Sequence, residues 1–267
     1  MSVDGSKELI SAGAEVAGAA VGGALGFLLG GPGGAVGGGV AGVAVTRVTK
    51  AVLTDMANRR LSRREQVRIG ATASYALEAI QARLSAGEAL RSDGFFDNKA
   101  DQRPAAEEIL EGVLIKAKNE HQEKKLPLLG RFIANLAFSG EVGIGEANHL
   151  LRVAEVMTYR QMVVLGLLLL KGEIDSIPLR EEDYSDPNDE FPSELVSLLQ
   201  EIYDLADLGI VWRLSDESRV GTGVMSWRFI TPRHMSLAPL GLHLAALIGT
   251  DSIDTEDIED VANLLRV

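Results

Sequence analysis

Four histidines, His121, His149, His234 and His243, are the chain's only imidazoles, and no two stand four residues apart. A zinc hydrolase of the H-E-x-x-H kind needs such a pair on one helix face, so that two ring nitrogens reach one metal. No G-x-S-x-G elbow offers a serine nucleophile, and no glycine loop ends in the G-K-S/T that holds phosphates. Gly37-Gly38-Gly39-Val40-Ala41-Gly42 matches the dinucleotide fingerprint G-x-G-x-x-G. It lacks the preceding strand, the βαβ unit and the acidic residue about 20 positions on that give that motif its chemistry. Asp183, Asp186, Asp189 and Glu190 are acidic enough to gather round calcium, but their spacing is not that of an EF-hand, and a solvated acidic loop is the simpler reading. Cysteine is absent, which removes thiol nucleophiles, cysteine metal sites and disulfides and suits a reducing compartment. No catalytic set, metal site or cofactor site emerges, and the expectation is a protein that is not an enzyme.

The stretch with the strongest pattern does packing instead. Residues 16–45 contain no charged side chain. Gly18, Gly22, Gly26 and Gly30 fall four apart, and beyond Pro32 the spacing resumes at Gly34, Gly38 and Gly42. Residues four apart share one helix face, so each half would carry a stripe without side chains, as small-xxx-small faces do when helices associate in bilayers. The run GGPGG at 30–34 is a strong breaker. Two short helices are therefore expected, roughly 16–29 and 35–48, each about 20–22 Å long against a hydrocarbon core of about 30 Å. Twelve of these thirty residues are glycine, and each weakens a helix by up to about 1 kcal/mol relative to alanine. Such a hairpin is poor alone and best with partner helices, which points to self-association.

Cations accumulate directly after it: Arg47, Lys50, Arg59, Arg60, Arg63, Arg64 and Arg68, offset by Asp55 and Glu65. Next to an apolar segment this suits anionic headgroups, at about 1 kcal/mol per residue near the surface. A solvated helix face laced with ion pairs is the alternative. The formal charge of −12 is uneven: residues 1–70 hold eight Lys/Arg against five Asp/Glu, and the rest hold 18 against 33. Only the N-terminal part favours anionic partners. Asp4, Glu8 and Glu15 against Lys7 do not make the basic leader of a secretory signal, so cytoplasmic residence with conditional membrane association is expected.

The remainder reads as mainly α. Apolar residues recur at helical spacing over 62–90, 105–120, 127–137 and 146–156, giving a helical bundle. The apolar run 162–170 is too short to cross a bilayer and suits a buried core helix. After the acidic loop 180–190 come a helix near Pro192–Leu208, a strand in IVWRL, a second expected strand around VMSWRFI at 224–230, and a helix from LAPLG. That order is winged-helix-like. The expected division is a glycine-zipper hairpin over 1–50, a helical bundle with a basic first helix over 51–156, and a winged-helix-like module over 157–267.

The stretches KLPLLGRFIANLAFSG (125–140) and EANHLLRVAEVMTYRQMVVLGLLL (146–169) resemble bacterial helical proteins of the abortive-infection alpha type. In these a helical region precedes a winged-helix-like end, here Leu208-Gly209-Ile210-Val211 and Leu237-Ala238-Pro239-Leu240-Gly241. The resemblance implies a bacterial, anti-phage setting and supplies no catalytic residues. The N-terminus separately resembles those of membrane-perturbing effectors and pore-forming toxins. The leading expectation is a membrane-active effector that binds anionic lipid, forms a homo-oligomer and answers to a sensor or partner protein. The alternatives are a soluble oligomeric scaffold and an acidic winged-helix regulator of DNA; the charge disfavours nucleic acid.

Overall fold

A computed structural model describes residues 40–98, 102–173, 177–186, 188–212 and 226–266. The described residues are mainly helical, with nine α-helices and one two-stranded antiparallel ladder. The chain divides into two compact units between Glu155 and Val156. The 18 Lys/Arg and 18 Asp/Glu of the first unit cancel; the second holds 8 against 20 and so carries the whole charge of −12.

In the N-terminal unit, α1 (Val40–Ala57), α2 (Arg63–Ser85), α3 (Ala105–Asn119), α4 (Leu126–Leu136) and α5 (Ile144–Val156) follow one another. Where the glycine spacing suggests a helix ending near residue 48, α1 runs on to Ala57. Val45, Val48, Val52 and Met56 recur at three- and four-residue intervals and are all buried, with Leu53 beside them, so one apolar face carries the helix past the last glycine. The chain turns at 58–62, and Ser62 opens α2 with a capping box: its Oγ accepts from the Glu65 amide, and the Glu65 carboxylate accepts from the Ser62 amide at 2.6 Å.

Helices α2 and α4 cross backbone to backbone at Gly130. A Cβ there would lie 2.8 Å from the Thr72 carbonyl oxygen and 2.8 Å from the Tyr75 Cβ. Arg91 fixes the loop before α3. Its buried guanidinium pairs with Asp93 and donates to the carbonyls of Leu136 and Val142. Lys125, 2 % exposed at its side chain, meets Glu120 at 2.5 Å and donates to the Glu155 carbonyl at the end of α5. A buried amine is tolerated because both a carboxylate and an orphan helix carbonyl receive it.

The C-terminal unit contains α6 (Tyr159–Glu173), α7 (Ser193–Asp207), α8 (Pro239–Ile248) and α9 (Thr255–Leu264). Met162–Leu168 of α6 are buried, as a core helix requires. Strand β1 (Val211–Trp212) pairs antiparallel with β2 (Ser236–Leu237), with Val211 opposite Leu237 and Trp212 opposite Ser236. Of the strand expected around 224–230, residues 224 and 225 lie outside the described residues, and 226–230 are not where the ladder forms. Trp227–Phe229 make a 3-10 turn capped by Ser226, and Pro232–His234 make another, begun by a residue with no amide to give a ladder.

Candidate functional site

The residues that the sequence singles out fall on both sides of the described boundary. Gly18, Gly22, Gly26, Gly30, Pro32, Gly34 and Gly38 lie outside the described residues. Gly42 lies within α1 and is buried, on the same side of the helix as Val45, Thr49 and Met56. This face is the docked one. It closes over Ala73, Ala76 and Ile80 of α2 and Leu110 and Leu114 of α3, leaving only a narrow apolar cavity.

The seven cations separate into two groups. Three are engaged by the fold. Arg47 donates to the Phe96 carbonyl. Arg59 bridges Asp55 at 2.6 Å and Glu111, a carboxylate that Arg103 also holds. The hydrogen bonds that Arg59 donates to Glu111 and then to Asp55 push its pKa up, and those from Arg103 and Arg59 hold Glu111 below its ordinary range. Arg68 donates to the Lys118 carbonyl at 3.3 Å. The other four, Lys50, Arg60, Arg63 and Arg64, are exposed and form no ion pair among the described residues.

Two of these stand where the fold does not favour them. Arg63 and Arg64 occupy the first turn of α2, whose N-terminus carries the positive end of the helix dipole. A cation there costs about 0.3–1 kcal/mol rather than contributing it. Arg60, Arg63 and Arg64 at the α1–α2 elbow and Lys50 midway along α1 thus present four positive charges with no acidic partner among the described residues. An arrangement of this kind can attract an anionic surface or polyanion. Among the described residues, no three His, Asp or Glu side chains stand together as a metal site would need.

Elsewhere the suggestive residues are structural. Asp183 and Asp186 of the acidic loop accept from the Ser185 and Asn188 amides, and Arg180 and Arg233 pair with Asp189 and Glu181. The two pieces of the Leu208–Val211 and Leu237–Gly241 pattern meet each other. Gly209 adopts φ +71°, the Ala238 amide donates to the Ile210 carbonyl at 2.9 Å, and a Cβ on Gly241 would fall 2.1 Å from that same oxygen. The pattern encodes a close chain crossing.

In the sequence the seven cations form one group, and their spacing does not tell the three that are engaged from the four that are unpaired among the described residues. The Asp55–Arg59 pair is legible as an i, i+4 contact. Glu111 lies 52 residues from Arg59 and has no such signature. Comparison with protein-family models, curated proteins and solved structures finds no match to this chain.

Proposed function

We propose that the protein is a membrane-active effector that is not an enzyme. Its N-terminal glycine-rich segment associates with partner helices through Gly18, Gly22, Gly26, Gly30, Gly34 and Gly38 and perturbs a bilayer, and the helical body holds it against anionic lipid. The observation that carries this reading is the junction itself. A thirty-residue stretch without charge runs directly into a folded unit bearing four exposed cations that are unpaired among the described residues, two of them at a cost to the fold. At about 1 kcal/mol per cation near an anionic surface, the four together outweigh that cost. Residence is cytoplasmic until a trigger acts. The resemblance to abortive-infection alpha-type proteins supports an anti-phage setting.

The C-terminal unit acts as a winged-helix-like module for a partner protein. The order α7, β1, β2, α8 supports this, and a net charge of −12 argues against DNA. The test is a triple substitution, Gly22→Leu, Gly26→Leu and Gly38→Leu, in leakage assays on anionic vesicles. Leakage should vanish while circular dichroism of the body stays unchanged; leakage that survives would sink the zipper mechanism.

One observation favours a second reading, a soluble scaffold. Gly42 is buried on the same side of α1 as Val45 and Thr49, as a glycine-rich face would be in an assembly that never meets lipid. Failure of the protein to float with vesicles, together with a stable oligomer in solution, would select that reading.

A further inference from the structure

Helix α1 separates the two features that the membrane reading joins. From Gly42 to Ala57 it rises about 22 Å at 1.5 Å per residue, so the glycine-rich segment enters at one end and Arg60, Arg63 and Arg64 stand at the other. Screened electrostatics decay over about 8 Å at physiological ionic strength. Were α1 to stand on end over the bilayer, those arginines would sit nearly three screening lengths away and contribute nothing.

The exposed side of α1 resolves this. Val43, Arg47, Lys50 and Thr54 recur at intervals of four, three and four and are all exposed, forming one stripe opposite the docked face. Val43 is 70 % exposed, an apolar contact at the end where the glycine-rich segment enters. The one carboxylate on α1, Asp55, flanks the stripe and is held by Arg59. The stripe thus runs from an apolar end through two cations to the arginine elbow, with no unpaired acid on it.

We infer that the N-terminal unit lies with α1 parallel to an anionic bilayer, the Val43–Thr54 stripe and the α1–α2 elbow touching headgroups together. This rests on the membrane reading above and adds the contact surface and its orientation. Each of the four free cations then sits within a screening length of lipid. The C-terminal unit, with all the net negative charge, adds no attraction.

The absence of cysteine makes the test direct. Val43→Cys and Thr54→Cys are made singly in the full chain, labelled with a nitroxide and floated on vesicles of roughly 3:1 phosphatidylcholine to phosphatidylglycerol. Water-soluble nickel and lipid-soluble oxygen then report access to each label. Both positions should lose nickel access together. Adding Arg60→Gln, Arg63→Gln and Arg64→Gln should restore it at position 54 more than at 43.

Loss at position 43 alone means an end-on pose and overturns the inference, while membrane binding stands. Flotation with no loss at either position places the contact elsewhere and overturns it too. No flotation overturns both the inference and the reading beneath it. Loss at position 54 without vesicles, rising with protein concentration, assigns the stripe to a second copy of the chain; loss with an RNA duplex but not with vesicles assigns it to nucleic acid.

Discussion

Replacing Arg60, Arg63 and Arg64 by glutamine should move lipid binding and fold stability in opposite directions. All three are exposed and make no ion pair among the described residues, so their removal breaks nothing. At about 1 kcal/mol per cation near an anionic surface, the loss is about 3 kcal/mol, or roughly a hundredfold in partitioning. Stability should rise. Arg63 and Arg64 leave the first turn of α2, where each opposes the dipole by about 0.3–1 kcal/mol, a gain of about 0.6–2 kcal/mol and a few degrees in Tm. Vesicle co-sedimentation at low and high salt measures the first effect, and thermal melting the second. A variant that binds vesicles as the parent does would refute the placement of these cations at the surface. A lower Tm would refute the claim that the fold has no use for them.

Gly241→Ala should destabilise the C-terminal unit by more than about 3 kcal/mol, since the new methyl meets the Ile210 carbonyl oxygen at 2.1 Å and backbone cannot step aside as a side chain can; urea denaturation reads it. Lys125→Met should cost the N-terminal unit about 3 kcal/mol by stranding the buried Glu120 carboxylate, and adding Glu120→Gln should recover much of that loss. Burial pushes the Glu120 pKa up, but the bonds from Lys125 and the Gln122 amide outweigh it and leave it below the ordinary 4.5. The pair's stabilisation is therefore complete above pH 4.5 and lost as acid takes the pH through the lower folded value, so the parent should show an acid transition that the double variant lacks. Tyr184→Phe should stabilise the C-terminal unit by about 1 kcal/mol, because the tyrosine hydroxyl is buried without a hydrogen-bond partner among the described residues. Burial pushes the Tyr184 pKa up to about 12 from 10.0, so its contribution is whole below pH 10.0 and fades as pH rises through 12, a loss that the phenylalanine variant escapes.

The helices were legible because their apolar residues keep a period. The face Val113, Leu114 and Ala117 on α3 and the face Leu129, Phe132, Ile133 and Leu136 on α4 are buried as their spacing demands. The continuation of α1 to Ala57 was harder to see, since the glycine pattern draws attention to residue 42 while Val45–Met56 carry the same face onward. The second strand of the ladder lies further along the chain than the side chains suggest, for a physical reason. Trp227, Phe229 and Ile230 have strand-forming side chains, but local turns around Ser226 and Pro232 take that backbone, and the ladder uses Ser236–Leu237 instead. Of the site, residue types were readable and pairing was not. Arg47, Arg59 and Arg68 look like Arg60, Arg63 and Arg64 in sequence, and only tertiary neighbours at Phe96, Glu111 and Lys118 set them apart.

Flotation of the full chain on vesicles tests the central claim most directly, run with neutral and with anionic lipid at low and at physiological salt. The protein should rise with anionic vesicles, salt should weaken this, and neutral vesicles should hold far less of it. A protein that stays with the soluble fraction under every one of these conditions would contradict the account.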